Sequence, residues 1–227
     1  KNEQPTGTLI VDKYIAIREE IDTSLIDTSD LSGIEFTLLA KENIIDMADG
    51  SIIYEKGKEV KRVNLNKEGN LQITNLPLGI YELYESKTLN GLVTNNTRYE
   101  VKFTQEDLVT KIYENTVDVI NDTTIVEFSK QSITGDTELV GAKLTVIDES
   151  GNIIDTWISA KNTHKIEGLV VGKTYTLIEE IAPDGFVKAT EIKFTIEDTA
   201  EIQKVNMIDK IVEMTKADIG GEEIEGA

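Results

Sequence analysis

The chain contains no cysteine. That excludes disulfides, thiolate metal sites and cysteine nucleophiles, so an extracellular protein of this composition needs another way to harden its fold. Basic residues are scarce, with 23 Lys and Arg against 42 Asp and Glu and a net charge of −19 over 227 residues. This balance argues against recognition of nucleic acid phosphates or anionic lipid, and is that of a solvated acidic surface. No acidic loop has the ligand spacing of an EF-hand. No apolar run is long enough to span a membrane, and no signal peptide is evident. Helical periodicity is nearly absent. The ends, Lys1-Asn-Glu-Gln-Pro5 and Glu225-Gly-Ala227, read as those of a piece excised from a longer protein.

What is present is a series of short runs rich in Val, Ile, Thr and Tyr. Turn signals separate them, among them Asp49-Gly50, Glu68-Gly69-Asn70, Glu149-Ser150-Gly151-Asn152 and Asp184-Gly185. This spacing predicts an all-β sandwich or barrel. An internal repeat sets the organisation. Val126-Glu-Phe-Ser-Lys130 leading to Glu138-Leu-Val-Gly-Ala142 recurs as Val212-Glu-Met-Thr-Lys216 leading to Glu223-Ile-Glu-Gly-Ala227. The expected units are residues 1–122, 123–210 and the start of a third, truncated unit at 211–227. The first unit carries extra sequence at about Arg18–Asp30, expected to be a polar surface loop. It also carries extra sequence at about Asp46–Lys61, expected to add a hairpin around Asp49-Gly50.

Strand side chains alternate between faces. Lys13 shares its parity with Leu9, Val11 and Ile15, and Lys130 shares its parity with Val126 and Phe128. Both lysines therefore point into a core. Burying an ammonium there costs several kcal/mol, in order of magnitude, unless the group is paired or loses its charge. Glu179 follows Tyr175 and Leu177 at one parity, and Asp209 follows Val205 and Met207. The first unit repeats the order with Glu85 after Tyr81 and Leu83, and Asn121 after Val117 and Val119. Asn206, a rival acceptor, has the opposite parity. A buried ion pair is the simplest reading of one such lysine; three parity matches in two units favour chemistry. Desolvation favours a neutral amine and a neutral acid. An acid can then polarise the acyl oxygen of Asn121 or Asp209 and relay the amine proton to the leaving group. Contact between amine and acyl group supplies an effective molarity worth about 7–11 kcal/mol of barrier. No cofactor or metal is required, and each unit reacts once.

Lys130 in VEFSKQSITGDTELVGAKLTV, Glu179 in YTLIEEIAPDGF and Asp209 in VNMID together resemble the collagen-adhesin B-type domains (CnaB, or SpaA-like, with a prealbumin-like fold) of Gram-positive surface proteins. The second unit is most similar to the domain split into SpyCatcher and SpyTag. That likeness implies a Lys130–Asp209 isopeptide bond with Glu179 as acid/base. In the first unit, GTLIVDK, YELYE and VDVIN resemble the Lys–Asn variety, which implies Lys13 as amine, Asn121 as acceptor and Glu85 as acid/base. That unit departs from the family pattern after the glutamate, reading Ser86-Lys-Thr-Leu-Asn-Gly91 where Ala-Pro-x-Gly-Tyr is usual, which is expected to loosen the turn. Lys216 is a repeat lysine without a partner in this chain.

The resemblance implies two tandem transthyretin-like β-sandwiches plus the first strand of a third. It also implies a structural stalk segment of an adhesin or pilus-like protein, extracellular and anchored to a Gram-positive cell wall. A link from first to last strand would carry tension past the strands between and restrict the unfolded chain, as a disulfide does. The partners expected are neighbouring domains of the same polypeptide; the alternative is an adhesive module that itself binds a host matrix protein. A turnover enzyme is the third reading, and it lacks an open constellation. His164 is expected to be an exposed turn residue. Trp157 is expected to pack with its face partly exposed. Leu76-Pro77-Leu78-Gly79 is expected to turn into the Tyr81 strand.

Overall fold

The computed structural model describes residues 4–135 and 137–212. The expected start of a third unit, with Lys216, lies outside the described residues. The first set of strands is β1 (Thr6–Ile15), β2 (Thr23–Ser24), β3 (Glu35–Ala40), β4 (Ile44–Ile45), β5 (Ile52–Tyr54), β6 (Glu59–Asn64), β7 (Asn70–Leu76), β8 (Gly79–Lys87), β9 (Tyr99–Phe103) and β10 (Ile112–Asn121). The second set is β11 (Ile125–Ser132), β12 (Lys143–Ile147), β13 (Ile153–Ile158), β14 (His164–Glu167), β15 (Thr174–Ile181), β16 (Phe186–Val187), β17 (Ile192–Thr195) and β18 (Ile202–Ile211).

Each set forms a two-sheet sandwich around its own apolar core. In the first, sheet β10-β1-β7 faces sheet β6-β3-β8-β9; in the second, β16-β18-β11-β14 faces β13-β12-β15-β17. The alternation of apolar and polar residues produces this layering, because each strand buries one parity and solvates the other. In β10, Val117, Val119 and Asn121 are buried between exposed neighbours. The first and last strands of each unit lie side by side and parallel. The chain therefore enters at one end of a sandwich and leaves at the other. Only Asp122–Thr124 separate β10 from β11.

The two insertions behave differently. Around Asp49-Gly50, β4 and β5 pair as the expected hairpin, with Gly50 at φ 75°. The Arg18–Asp30 segment is not the free surface loop expected from its polarity. It crosses to the second unit, where β2 pairs in parallel with β14 and adds a fifth strand to that sheet. The Asp22 and Leu25 amides donate to the Lys165 and Glu167 carbonyls at 3.2 and 2.9 Å. Thr23 and Ser24 donate to Asp155 and Glu167 at 2.7 and 2.8 Å. A polar sequence suits this strap because the sheet edge offers both acceptors and donors: Thr23 and Ser24 donate to its carboxylates, and Asp22 accepts from the Lys165 amide at 2.8 Å.

Three further contacts close the junction. Arg18 pairs with Asp122 at 2.9 Å and donates to the Ala200 carbonyl, and the Thr94 amide donates to Asp198 at 2.8 Å. Gly91 and Gly168 meet so closely that a Cβ on Gly91 would lie 2.6 Å from the Gly168 carbonyl oxygen. His164 is likewise not an exposed turn residue. It opens β14, stacks on Trp157 at 4.1 Å and hydrogen-bonds Asp155 at 2.8 Å. Burial alone raises the Asp155 carboxyl, but hydrogen bonds from Thr23 and His164 outweigh it and hold the group below its ordinary value. Trp157 also packs on Phe128 at 5.4 Å. Leu76-Pro77-Leu78-Gly79 forms the turn from β7 into β8, and the Tyr81 hydroxyl donates to the Pro77 carbonyl at 2.6 Å.

Candidate functional site

Each sandwich holds one amine, one carboxyl and one acyl acceptor between its sheets. In the first unit Lys13 comes from β1 and Asn121 from β10. The register pairs Lys13 with Val119 and Ile15 with Asn121, so Asn121 is the next residue on the face that Lys13 occupies. Glu85 reaches in from β8 on the opposite sheet. The Lys13 Nζ donates to Glu85 Oε2 at 2.7 Å and also to Asn121 Oδ1. Lys13 and Glu85 have side-chain exposures of 0% and 2%, so the pair is withdrawn from solvent. Burial lowers the Lys13 pKa, and the hydrogen bond and charge of Glu85 oppose this without cancelling it. The Lys13 ammonium is thus easier to deprotonate than an ordinary lysine.

The Asn121 amide is held from both ends. Its oxygen faces the amine, while Nδ2 donates to Glu85 Oε1 at 2.9 Å, Thr88 Oγ1 at 3.1 Å and the Val93 carbonyl at 3.2 Å. Val93, Asn95 and Asn121 line a cavity of about 390 Å³.

In the second unit Lys130 lies on β11, Asp209 on β18 and Glu179 on β15 of the facing sheet. The same two-residue relation holds, with Lys130 opposite Met207 and Ser132 opposite Asp209. Lys130 Nζ donates to Asp209 Oδ1 and lies 3.0 Å from Glu179 Oε1. That second contact is an ion pair of poor alignment, since Glu179 Oε1 and Asp209 Oδ2 are buried without a hydrogen-bond partner. Glu179 Oε2 accepts from the Ala189 amide at 2.6 Å. Burial raises the Asp209 pKa; the pull of Lys130 opposes the shift, and the neighbouring Glu179 reinforces it. Two carboxyls beside one amine, all excluded from water, favour a proton on one of them. A neutral Asp209 is an electrophile, which a carboxylate is not.

The predicted residues of each unit therefore converge: Lys13, Glu85 and Asn121 in one sandwich, Lys130, Glu179 and Asp209 in the other. Asn206 stands exposed on the outer face opposite Ser129. The turn after Glu85 resembles its counterpart in the second unit despite its departure from the family pattern. Gly91 has φ 83° and its counterpart Gly185 has φ 84°, and Leu92 bridges to Thr123 much as Phe186 pairs with Ile211. Sequence reasoning missed Thr88, the Val93 carbonyl and the Ala189 amide. It also missed Glu138, which accepts from the Lys130 amide at 2.8 Å. Backbone groups carry no side-chain signal, but Thr88 is visible on aligning the units at Glu85 and Glu179, where it stands opposite Ala182. Among the described residues no cluster of three or more His, Asp or Glu side chains is placed to hold a metal ion.

Residues 21–117 and 124–211 each match the family profile described as "SpaA: Prealbumin-like fold domain". Among solved structures, the Bacillus anthracis TIE protein is similar at 21% identity and a TM-score of 0.48, over 97% of this chain and 41% of that one. The shaft pilin SpaA from Lactobacillus rhamnosus GG is similar at 14% identity and a TM-score of 0.38, over 93% of this chain and 100% of that one. A Streptococcal ancillary pilin is similar at 23% identity and a TM-score of 0.37, over 92% of this chain and 64% of that one. No curated protein matches the chain.

Proposed function

Because this chain belongs to the SpaA family of prealbumin-like fold domains, we propose that it is a structural stalk segment of a Gram-positive cell-wall-anchored surface protein. In this reading two self-formed isopeptide bonds harden it, Lys13–Asn121 and Lys130–Asp209. The observation that carries this reading is the contact, in both units, between a first-strand amine and a last-strand acyl group beside a buried glutamate.

In the first unit Lys13 Nζ attacks Asn121 Cγ. Glu85 takes a proton from the amine through Oε2 and returns one to Nδ2 through Oε1; the Cγ–Nδ2 bond breaks and ammonia leaves. In the second unit Lys130 attacks the neutral acid of Asp209, Glu179 relays the proton, and water leaves. Each reaction runs once, so the protein is not a turnover enzyme. Neighbouring domains of the same polypeptide are its mechanical partners.

Intact mass spectrometry of the folded chain tests this: the expected result is a deficit of one ammonia and one water, and an unshifted mass overturns it. Glu179→Ala removes the water deficit and retains the ammonia deficit. A second reading, that the segment itself binds a host matrix protein, draws on exposed Ile45, Met47, Ile52 and Ile53 along the β4–β5 hairpin, an apolar surface on a protruding insertion. Replacing these four with serine should abolish retention on immobilised matrix proteins if that reading holds.

A further inference from the structure

The two units differ in acceptor, and the surroundings differ with it. Asn121 presents an NH2 group with two N–H donors, and it meets three acceptors: Glu85 Oε1, Thr88 Oγ1 and the Val93 carbonyl. Asp209 Oδ2 at the matching position is buried with no partner. Aligning the units at the glutamates and at Gly91 and Gly185 places Ala182 where Thr88 stands, and alanine offers no acceptor.

We propose that Thr88, with the Val93 carbonyl, makes the first unit specific for an asparagine acceptor by seating the departing nitrogen. This rests on the cross-linking reading above. A primary amide can face the amine with either its oxygen or its nitrogen. Only the observed orientation gives the NH2 acceptors and leaves the carbonyl oxygen facing the amine, with the carbonyl carbon open to attack. Val93 and Asn121 also line a cavity of about 390 Å³ at this end of the unit. An aspartic acid in place of Asn121 brings one proton when neutral and none when ionised. It leaves at least one acceptor opposed to an oxygen lone pair, so the seat disfavours it. Thr88 is a positioning residue: it touches the leaving group and exchanges no proton with it.

The test is the rate of mass loss in the full chain, made in a cell-free system and quenched in denaturant at intervals. Thr88→Ala should slow ammonia release by about fivefold, the size of one neutral hydrogen bond, and leave water release from the second unit unchanged. Thr88→Ser should restore the native rate. Asn121→Asp should slow bond formation in the first unit, and adding Thr88→Ala to it should cause no further slowing. The proposal is overturned if Thr88→Ala cross-links at the native rate, or if it slows the Asn and Asp acceptors equally, as a merely structural residue would. A native chain that releases no ammonia overturns the cross-linking reading itself; native release with an indifferent Thr88 overturns only the seat.

Discussion

The two sandwiches share a fold and a triad order but solve the same electrostatic problem differently. In the first, the polar atoms of Lys13, Glu85 and Asn121 that face one another are all hydrogen-bonded. In the second, two carboxyls crowd one amine and two of their oxygens make no hydrogen bond. An amide acceptor brings its own donors and is neutral, so the first unit can be satisfied before any reaction. A carboxyl acceptor must be neutral to react, and burial, reinforced by the nearby Glu179, shifts the Asp209 pKa upward against the pull of Lys130. Under the proposed cross-linking, such an unsatisfied cluster is what two reactants leave before their bond forms.

The comparison can be broken most forcefully by removing each acceptor. Lys13 and Asn121 lie 108 residues apart, and Lys130 and Asp209 lie 79 apart. Closing loops of this length restricts the unfolded chain by about 4–5 kcal/mol in each unit. If the proposed bonds form, Asn121→Ala and Asp209→Ala should therefore lower stability by similar large amounts in chemical denaturation. Once cross-linked, Asp209 is an amide and no longer crowds Lys130, so the two losses should match. A loss confined to one variant would mean that only that unit is cross-linked.

A smaller effect is expected at the junction. Gly91→Ala forces a side chain onto a residue at φ 83° and against the Gly168 carbonyl. It should cost about 1–3 kcal/mol and loosen the units, read as a wider spread of inter-unit orientations in small-angle scattering. The same change at Gly50, also at positive φ but with open space around it, should leave the orientation untouched.

The smallest effect is in pH dependence. In Asn121→Ala, Lys13 remains a free amine whose folded pKa lies below its ordinary value because of burial. Between that lowered value and about 10.4 the unfolded state holds more protons, so stability rises with pH. Denaturation midpoints at about pH 7 and about pH 9.5 should differ in that direction for this variant, and less for the native chain if the proposed bond has turned the amine into an amide. A midpoint falling with pH would contradict the burial effect.

Strand parity made the triads legible in the sequence, because a period of two assigns Lys13, Glu85 and Asn121 to the same interior as their apolar neighbours. The strap was not legible. β2 is two residues long, and a polar stretch that serves a distant sheet edge carries no periodic signal. His164 misled for a related reason: its sequence neighbours are polar, yet its stacking partner Trp157 comes from another strand. Thr88 was hidden because a threonine after a strand reads as turn chemistry until its partner, 33 residues away, is known.

The parallel pairing of first and last strands also fixes an order in time. β1 has β7 available early, but its other edge stays open until β10 has been made. At synthesis rates of about 5–20 residues per second, the Lys13 amine waits on the order of 5–20 s for its proposed acceptor, 108 residues later. An acceptor on an earlier strand would let a half-built sandwich lock itself. With it on the last, a bond between these residues records that the whole unit has closed, and an unlinked chain can be told from a finished one by mass alone.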